Sequence, residues 1–295
     1  YNQEVANRHE AITNSTGDLN IRPLEKDKLV KIVRLDDQDT REQMGANRIE
    51  AMLEVRELLG GSIAELDGPE ALELITEVNG ILAEQPYRVL DKNKQPGGLL
   101  ELNDAPSPVI VGDLHGQVDN LLKILTENCL VQTLQNNRAV LCILGDAVHS
   151  EDLGEMENMD SSILIMDLIF TLIKCFPANV FYQRGNHDSF SPELSKNGVP
   201  QGILMKKALT DKRGAAYVKQ MQKFYDLLPY MIVTTSFIGI HAGPPRPETT
   251  RKQIINLSSK PDLARELTQN RIKRPYYPAG YGKTEIKALR KTFGM

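Results

Sequence analysis

Four short stretches of this 295-residue chain gather side chains that can hold metal ions or move protons. They are Gly112–Gly116 (GDLHG), Gly145-Asp146, Gly185–Asp188 (GNHD) and His241–Gly243 (HAG). Aspartate and neutral histidine are ligands suited to manganese, iron or zinc, and they mix freely in one site. The spacing Asp113-x-His115 puts both side chains on one side of an extended segment. A carboxylate has two oxygens and can join two cations, so Asp146 is the natural shared ligand. Two ions about 3.5–4 Å apart can clamp a phosphate and generate a hydroxide nucleophile between them. Taken singly, each stretch also has a plain structural reading: a turn at Asp113 or at Gly145-Asp146, a structural histidine at His187, a satisfied buried histidine at His241. The ordered set of four is what carries the functional expectation.

Each stretch follows a short apolar run: Pro108–Gly112 (PVIVG), Ala139–Leu144 (AVLCIL), Asn179–Tyr182 (NVFY) and Phe237–Ile240. Tyr230–Thr235 forms a further run before the last. Helical spacing is read over Val118–Glu127 and Ser161–Cys175, and two helical stretches precede Tyr230. Short β-rich runs alternating with helices predict an α/β sheet with buried strands. In such sheets ligands gather beyond the carboxyl ends of the strands, so the four stretches can converge. Upstream, Arg41–Leu59 and Pro69–Glu84 carry apolar residues at helical spacing, with Gly60-Gly61 ending the first and Asp67 capping the second. Residues 1–35 are polar and weakly patterned, which suggests an extended arm or a loosely packed start. The expected organisation is a helical cap and lead-in over 1–105 and a catalytic domain over 106–295.

Composition narrows the function. Lys plus Arg is 35 and Asp plus Glu is 39, a formal charge of −4, which disfavours a nucleic-acid binder. No apolar run approaches the ~18 residues needed to cross a membrane. The chain opens at Tyr1, so its true N-terminus is expected to lie upstream. Cys129, Cys142 and Cys175 are odd in number and widely spaced, so no disulfide framework or zinc knuckle is expected. They read as reduced, mostly buried residues in a cytosol-like compartment, which would equally serve a protein delivered into another cell's cytosol.

The motif order resembles the phosphoprotein phosphatase branch of the metallophosphoesterases, which carries GDxHG, GDxVDRG, GNHE and HGG. The likeness spreads over about residues 80–295: Ile81–Gln117 resembles the family's lead-in helix and first strand, Gly214–Gly243 its helix, LP turn and strand pair, and Gly280–Met295 the helix before its last histidine. It implies a calcineurin-like β-sandwich flanked by helices and two divalent metal ions, manganese first, with iron or zinc as alternatives. By position, Asp113 and His115 would bind the first ion, Asp146 would bridge, and Asn186 and His241 would bind the second. His187 would protonate the leaving oxygen, and Arg274 would bind phosphate, a role that fits a bidentate guanidinium. A bridging hydroxide would attack a phosphate monoester on a protein side chain.

Three departures bear on this expectation. The family's VDRG is VHS here, so His149 stands where a carboxylate orients the acid, and Ser150 where an arginine clamps phosphate. His149 either bonds His187 or is a surface loop residue. GNHE becomes GNHD. The family's final metal histidine has no counterpart among His9, His115, His149, His187 and His241, so the sequence is expected to continue past Met295. Loss of the DRG motif leaves room for a flat aromatic ester, which favours phosphotyrosine slightly over phosphoserine or phosphothreonine. The altered motif and the N-terminal segment also resemble bacterial effector phosphatases of the Wip type. A diadenosine tetraphosphate hydrolase and an inactive binding protein on the same fold are the alternatives. The acidic loop Glu151, Asp152, Glu155, Glu157, Asp160 is either solvated or a selector for basic peptides. Tyr276, Tyr277 and Tyr281 either line the cleft or pack.

Overall fold

The computed structural model describes residues 38–102, 107–276 and 279–295, with side chains from residue 48 onward. The arm expected over residues 1–35, and Tyr277, lie outside the described residues. Ala46–Met295 forms one compact unit.

Among the described residues, seven strands make two sheets. In the first, β1 (Arg88–Leu90) runs antiparallel to β2 (Pro96–Leu102). Next, β2 pairs parallel with β6 (Met231–Thr234), and β6 pairs antiparallel with β7 (Ile238–Gly239). The second sheet holds β3 (Ser107–Val111), β4 (Ala139–Ile143) and β5 (Val180–Tyr182), all parallel. Strand periodicity decides how they stack. Val140 and Cys142 of β4, with Phe181 of β5, face Leu100, Leu102 and Ile232 of the first sheet, forming the core between the sheets. Ala139, Leu141 and Ile143 point the other way, into a helical layer. Leu99, Met231 and Val233 face outward from the first sheet, against the short α7 (Arg251–Ile255), α8 (Pro261–Gln269) and α9 (Lys283–Thr292). The result is a β-sandwich with helices on both sides. Strands buried on both faces read as continuous apolar runs, which is why AVLCI shows no alternation.

The helical layer on the second sheet comprises the part of α1 (Gln38–Leu58) from Ala46 onward, α2 (Gly68–Ala83), α3 (Val118–Thr126), α4 (Leu130–Gln135), α5 (Asp160–Cys175) and α6 (Gln201–Leu227). The Asp67 cap forms as read: its Oδ1 accepts from Glu70 N at 2.9 Å. The two helical stretches expected before Tyr230 are one helix, α6, broken at Gly214 with φ 83°.

Two readings change. The segment expected as a helical cap and lead-in over 1–105 also supplies β1 and β2, an integral part of the sandwich. Within β2, a Cβ at Gly98 would lie 2.4 Å from Ile254 O. The glycines let α7 pack directly on the strand backbone. Cys129 and Cys175 are exposed, and only Cys142 is buried. Cys129 sits at a left-handed turn between α3 and α4, and Cys175 is the last residue of α5, so neither follows its apolar neighbours inward.

One buried ion pair fixes this layer. Arg213 Nη1 donates to Asp167 Oδ1 at 2.7 Å and to Tyr217 Oη at 2.9 Å, and Leu66 N donates to Asp167 Oδ2 at 3.0 Å. Thus α5, α6 and the segment before α2 meet at two charges that water does not reach. Removing one partner leaves the other buried and uncompensated. Arg213→Met is therefore expected to lower the unfolding free energy by about 3–5 kcal/mol, read by urea denaturation; a change within ~0.5 kcal/mol would contradict this account.

Candidate metal centre

Three parallel strands and one strand of the other sheet end at the same place. Asp113 follows β3, Gly145-Asp146 follow β4, Gly185–Asp188 follow β5, and His241 follows β7. The loops are stitched together through Asp146, which takes a left-handed backbone conformation with φ 52°. Its carbonyl accepts from Leu114 N and His115 N, both at 3.0 Å. Its own N–H donates to Asp188 Oδ2 at 3.1 Å, and its Oδ1 accepts from His187 N at 2.7 Å. Gly145 and Gly185 permit this approach: a Cβ on Gly185 would lie 2.0 Å from Asp146 Oδ1.

Two groups of possible ligand atoms result, His115 with Asp146 and His187, and Asp113 with Asp146 and His241, each within 4.8 Å. Asp146 is common to both. The imidazoles are oriented from behind. His115 Nδ1 lies 3.2 Å from Val148 O and 3.1 Å from His149 O, while His241 Nδ1 lies 2.9 Å from Leu144 O. In each ring the Nδ1–H donates to a carbonyl, which turns Nε2 toward the cluster; in His241 that Nε2 also carries a proton, because the atoms it meets are oxygen acceptors. His241 Nε2 stands 3.3 Å from Asp146 Oδ2 and 3.0 Å from Asn186 Oδ1. Asp113 Oδ2 is 3.8 Å from His115 Nε2, and its Oδ1 is 3.6 Å from His241 Nδ1. Asp113 is half exposed, so the cluster opens to solvent on its side. The donor set, carboxylates with imidazoles whose Nδ1 atoms are already bonded, fits a divalent cation.

Electrostatics point the same way. Burial alone would raise the Asp146 carboxyl, but the hydrogen bond and charge of His241, with His187, hold it below the usual range. Burial would lower His241, yet Asp146 and Asp113 push it up to about 8. A site that attracts a proton this strongly attracts a metal cation in its place. Asp188 is fully buried and accepts from Gly185 N, Asp146 N and Tyr182 Oη. Burial, with the charge of Asp146, pushes it up to about 6. Tyr182 Oη in turn accepts from Ala147 N at 3.1 Å. Position 188 is therefore a hub that clamps two loops together, a role its sequence position did not signal.

Residues 108–277 match the family model described as calcineurin-like phosphoesterase. The chain belongs to this family. Its relatives include serine/threonine-protein phosphatase with EF-hands 1 of Mus musculus, 27% identical over 177 residues, which are 60% of this chain and 23% of the relative. The Homo sapiens protein of the same name is 29% identical over 175 residues, 58% of this chain and 23% of the relative. The chain thus spans about a quarter of the length of these relatives. A solved structure of a protein serine/threonine phosphatase from Saccharomyces cerevisiae, with similarity to human phosphatase PP5, shares the fold, with a TM-score of 0.52 and 18% identity over 77% of this chain and 69% of that one.

For this calcineurin-like phosphoesterase, the structure brings together Asp113, His115, Asp146, Asn186, His187 and His241. The choice left open for His149 is resolved: it is fully buried, and its Nδ1 lies 3.1 Å from His187 Nδ1. Burial, then the charge of His187, lowers its pKa to about 3, so it is a neutral partner. Arg274 is not joined to the cluster by any contact among the described residues; it is exposed and donates to Tyr276 Oη at 2.8 Å. Tyr281 packs its ring on Gly243, beside His241. The acidic loop is only partly solvated: Glu151 Oε1 lies 3.3 Å from His115 Nε2 and pairs with Lys196, a residue no motif signalled.

The tight glycine contact yields a test. Gly185→Ala must displace Asp146 or the β5 loop. It is expected to weaken divalent-metal affinity about 10- to 100-fold, the scale of a disturbed supporting shell, measured by equilibrium dialysis with elemental analysis; wild-type affinity would show that Asp146 does not hold the ion.

Proposed function

We propose that this protein is a metal-dependent phosphoprotein phosphatase that hydrolyses phosphate monoesters on protein side chains. The observation that carries the reading is the pair of donor groups sharing Asp146 at four converging strand ends. The motif positions divide these residues differently from the two donor groups: in this reading Asp113 and His115 would hold one ion, Asn186 and His241 the other, and Asp146 would serve both, with His187 left as the proton donor. Divalent ions so held polarise a phosphoryl group and lower the pKa of a water beside it. The residues themselves supply orientation and protons. Asn186 Oδ1 and His241 are held in register by their contact. When His187 is protonated, its Nδ1–H donates to the neutral His149, and its Nε2–H is the proton available to the leaving oxygen.

The names of the serine/threonine-protein phosphatase relatives support a protein substrate. The likeness to Wip-type effector phosphatases is part of the same reading and rests on the altered stretch Gly145–Ser150. The expected preference for phosphotyrosine rests on the loss of the DRG motif, where His149 and Ser150 stand.

Phosphate release should be compared on matched phosphotyrosine, phosphoserine and phosphothreonine peptides and on diadenosine tetraphosphate, with manganese and with chelator. Manganese-dependent release from peptides, lost with chelator and in Asp146→Asn, is the expected result. Release from the dinucleotide alone would establish a nucleotidase instead, and no release despite bound metal would establish a binding protein. His187→Ala is expected to reduce kcat/KM on peptides by about 10²- to 10⁴-fold, and much less on p-nitrophenyl phosphate, whose leaving group needs no proton; equal losses on both would remove His187 as the acid.

A further inference from the structure

The charge around the cluster is unbalanced for an anionic ester. Asp113, Asp146 and Glu151 all face it, and a phosphoryl dianion approaching them needs a cation on the protein side as well as the ions. The position after His149 is neutral Ser150, whose Oγ accepts from Asp152 N at 3.2 Å. Other cations near the strand ends are engaged elsewhere. Arg184 donates to Tyr225 O at 2.6 Å, Arg274 donates to Tyr276, and Arg246 pairs with Glu266. Lys196 differs. Its Nζ pairs with Glu151 Oε1, the same oxygen that stands 3.3 Å from His115 Nε2. One carboxylate oxygen therefore separates the ammonium from the cluster.

Lys196 is also aimed. It opens a two-residue turn closed by Lys196 N to Val199 O at 3.1 Å and Val199 N to Lys196 O at 2.9 Å. Asn197 and Gly198 both have positive φ, 50° and 83°, the tight hairpin geometry that Asn-Gly favours. Gln201, two residues on, donates to Ser150 O at 2.8 Å, which anchors the turn to the segment carrying Glu151.

We propose that Lys196 is the phosphate-binding cation of this site, and that Glu151 holds its ammonium in the free protein until a phosphoryl oxygen takes the place of the carboxylate oxygen. The assignment rests on the phosphatase reading above and adds a specificity residue to it. No bond is made or broken in this exchange: one anionic partner of the ammonium replaces another.

The test is the dissociation constant for inorganic phosphate of the manganese-loaded protein, by titration calorimetry, with manganese affinity measured in parallel. Lys196→Met is expected to weaken phosphate binding about 10- to 100-fold, the loss of one charge-assisted hydrogen bond, with manganese affinity unchanged. Lys196→Arg keeps the charge and is expected to stay within about 3-fold of wild type. Glu151→Gln is expected to bind phosphate more tightly, because the competing carboxylate is gone. Wild-type phosphate affinity in Lys196→Met overturns the assignment and leaves the phosphatase reading standing. Loss of manganese in Glu151→Gln makes Glu151 a metal ligand and overturns the exchange. A wild-type protein that binds phosphate but hydrolyses no ester would sink the phosphatase reading while the Lys196 comparison still decides; one that binds manganese but no phosphate overturns both.

Discussion

Asp146 is the residue on which the site depends, because both its backbone and its side chain are in use. Its carbonyl collects the N–H groups after β3, its N–H meets Asp188 after β5, Oδ1 takes the His187 N–H, and Oδ2 faces His241 after β7. A buried carboxylate must be compensated by hydrogen bonds and opposite charge. Here the compensating groups are the other members of the cluster. The demand for compensation and the assembly of the site are thus one constraint. The left-handed backbone at Asp146 and the bare Gly185 beside it let the loops meet closely enough to satisfy it.

The sandwich supplies the rigidity this requires. Parallel pairing of β3, β4 and β5 sends three carboxyl ends the same way. The contact of His241 Nδ1 with Leu144 O then ties the second sheet to the first at the site itself. Packing on both faces of β4 leaves its end little freedom to shift, since close-packed interiors resist small displacements. Farther out, Asp167 and Arg213 hold α5 and α6, the helices that flank the chain entering and leaving the β4 and β5 loops.

The stretch after Asp146 shows how a changed motif can keep a coherent arrangement. His149 is neutral and buried, so it meets His187 without adding charge. Its amide donates to Ser162 Oγ of α5, which pins the loop that Ser150 and Glu151 continue. Charge returns to the site through Glu151 and Lys196, from a carboxylate on this loop and an ammonium on a distant turn.

The sequence by itself determined the strand runs, the α/β class and the candidate ligands, because each of these is written in a few adjacent residues. An apolar run ending in glycine and aspartate says where a strand stops and what stands at its end. Asp113, His115, Asp146, His187 and His241 were legible for that reason. Only the tertiary structure decided what depends on residues far apart in the chain. The glycine-rich β2 could not be read as a strand, since its need for glycine comes from α7, some 150 residues later. Arg274 matched a phosphate ligand by its position in the motif order, and only the folded chain shows its guanidinium exposed and bonded to Tyr276. Asp188 became a hub only when two loops closed around it, and Lys196 gained its place only through Glu151. Side-chain type sets what a residue can do; burial and the neighbours brought by folding set which of those things it does.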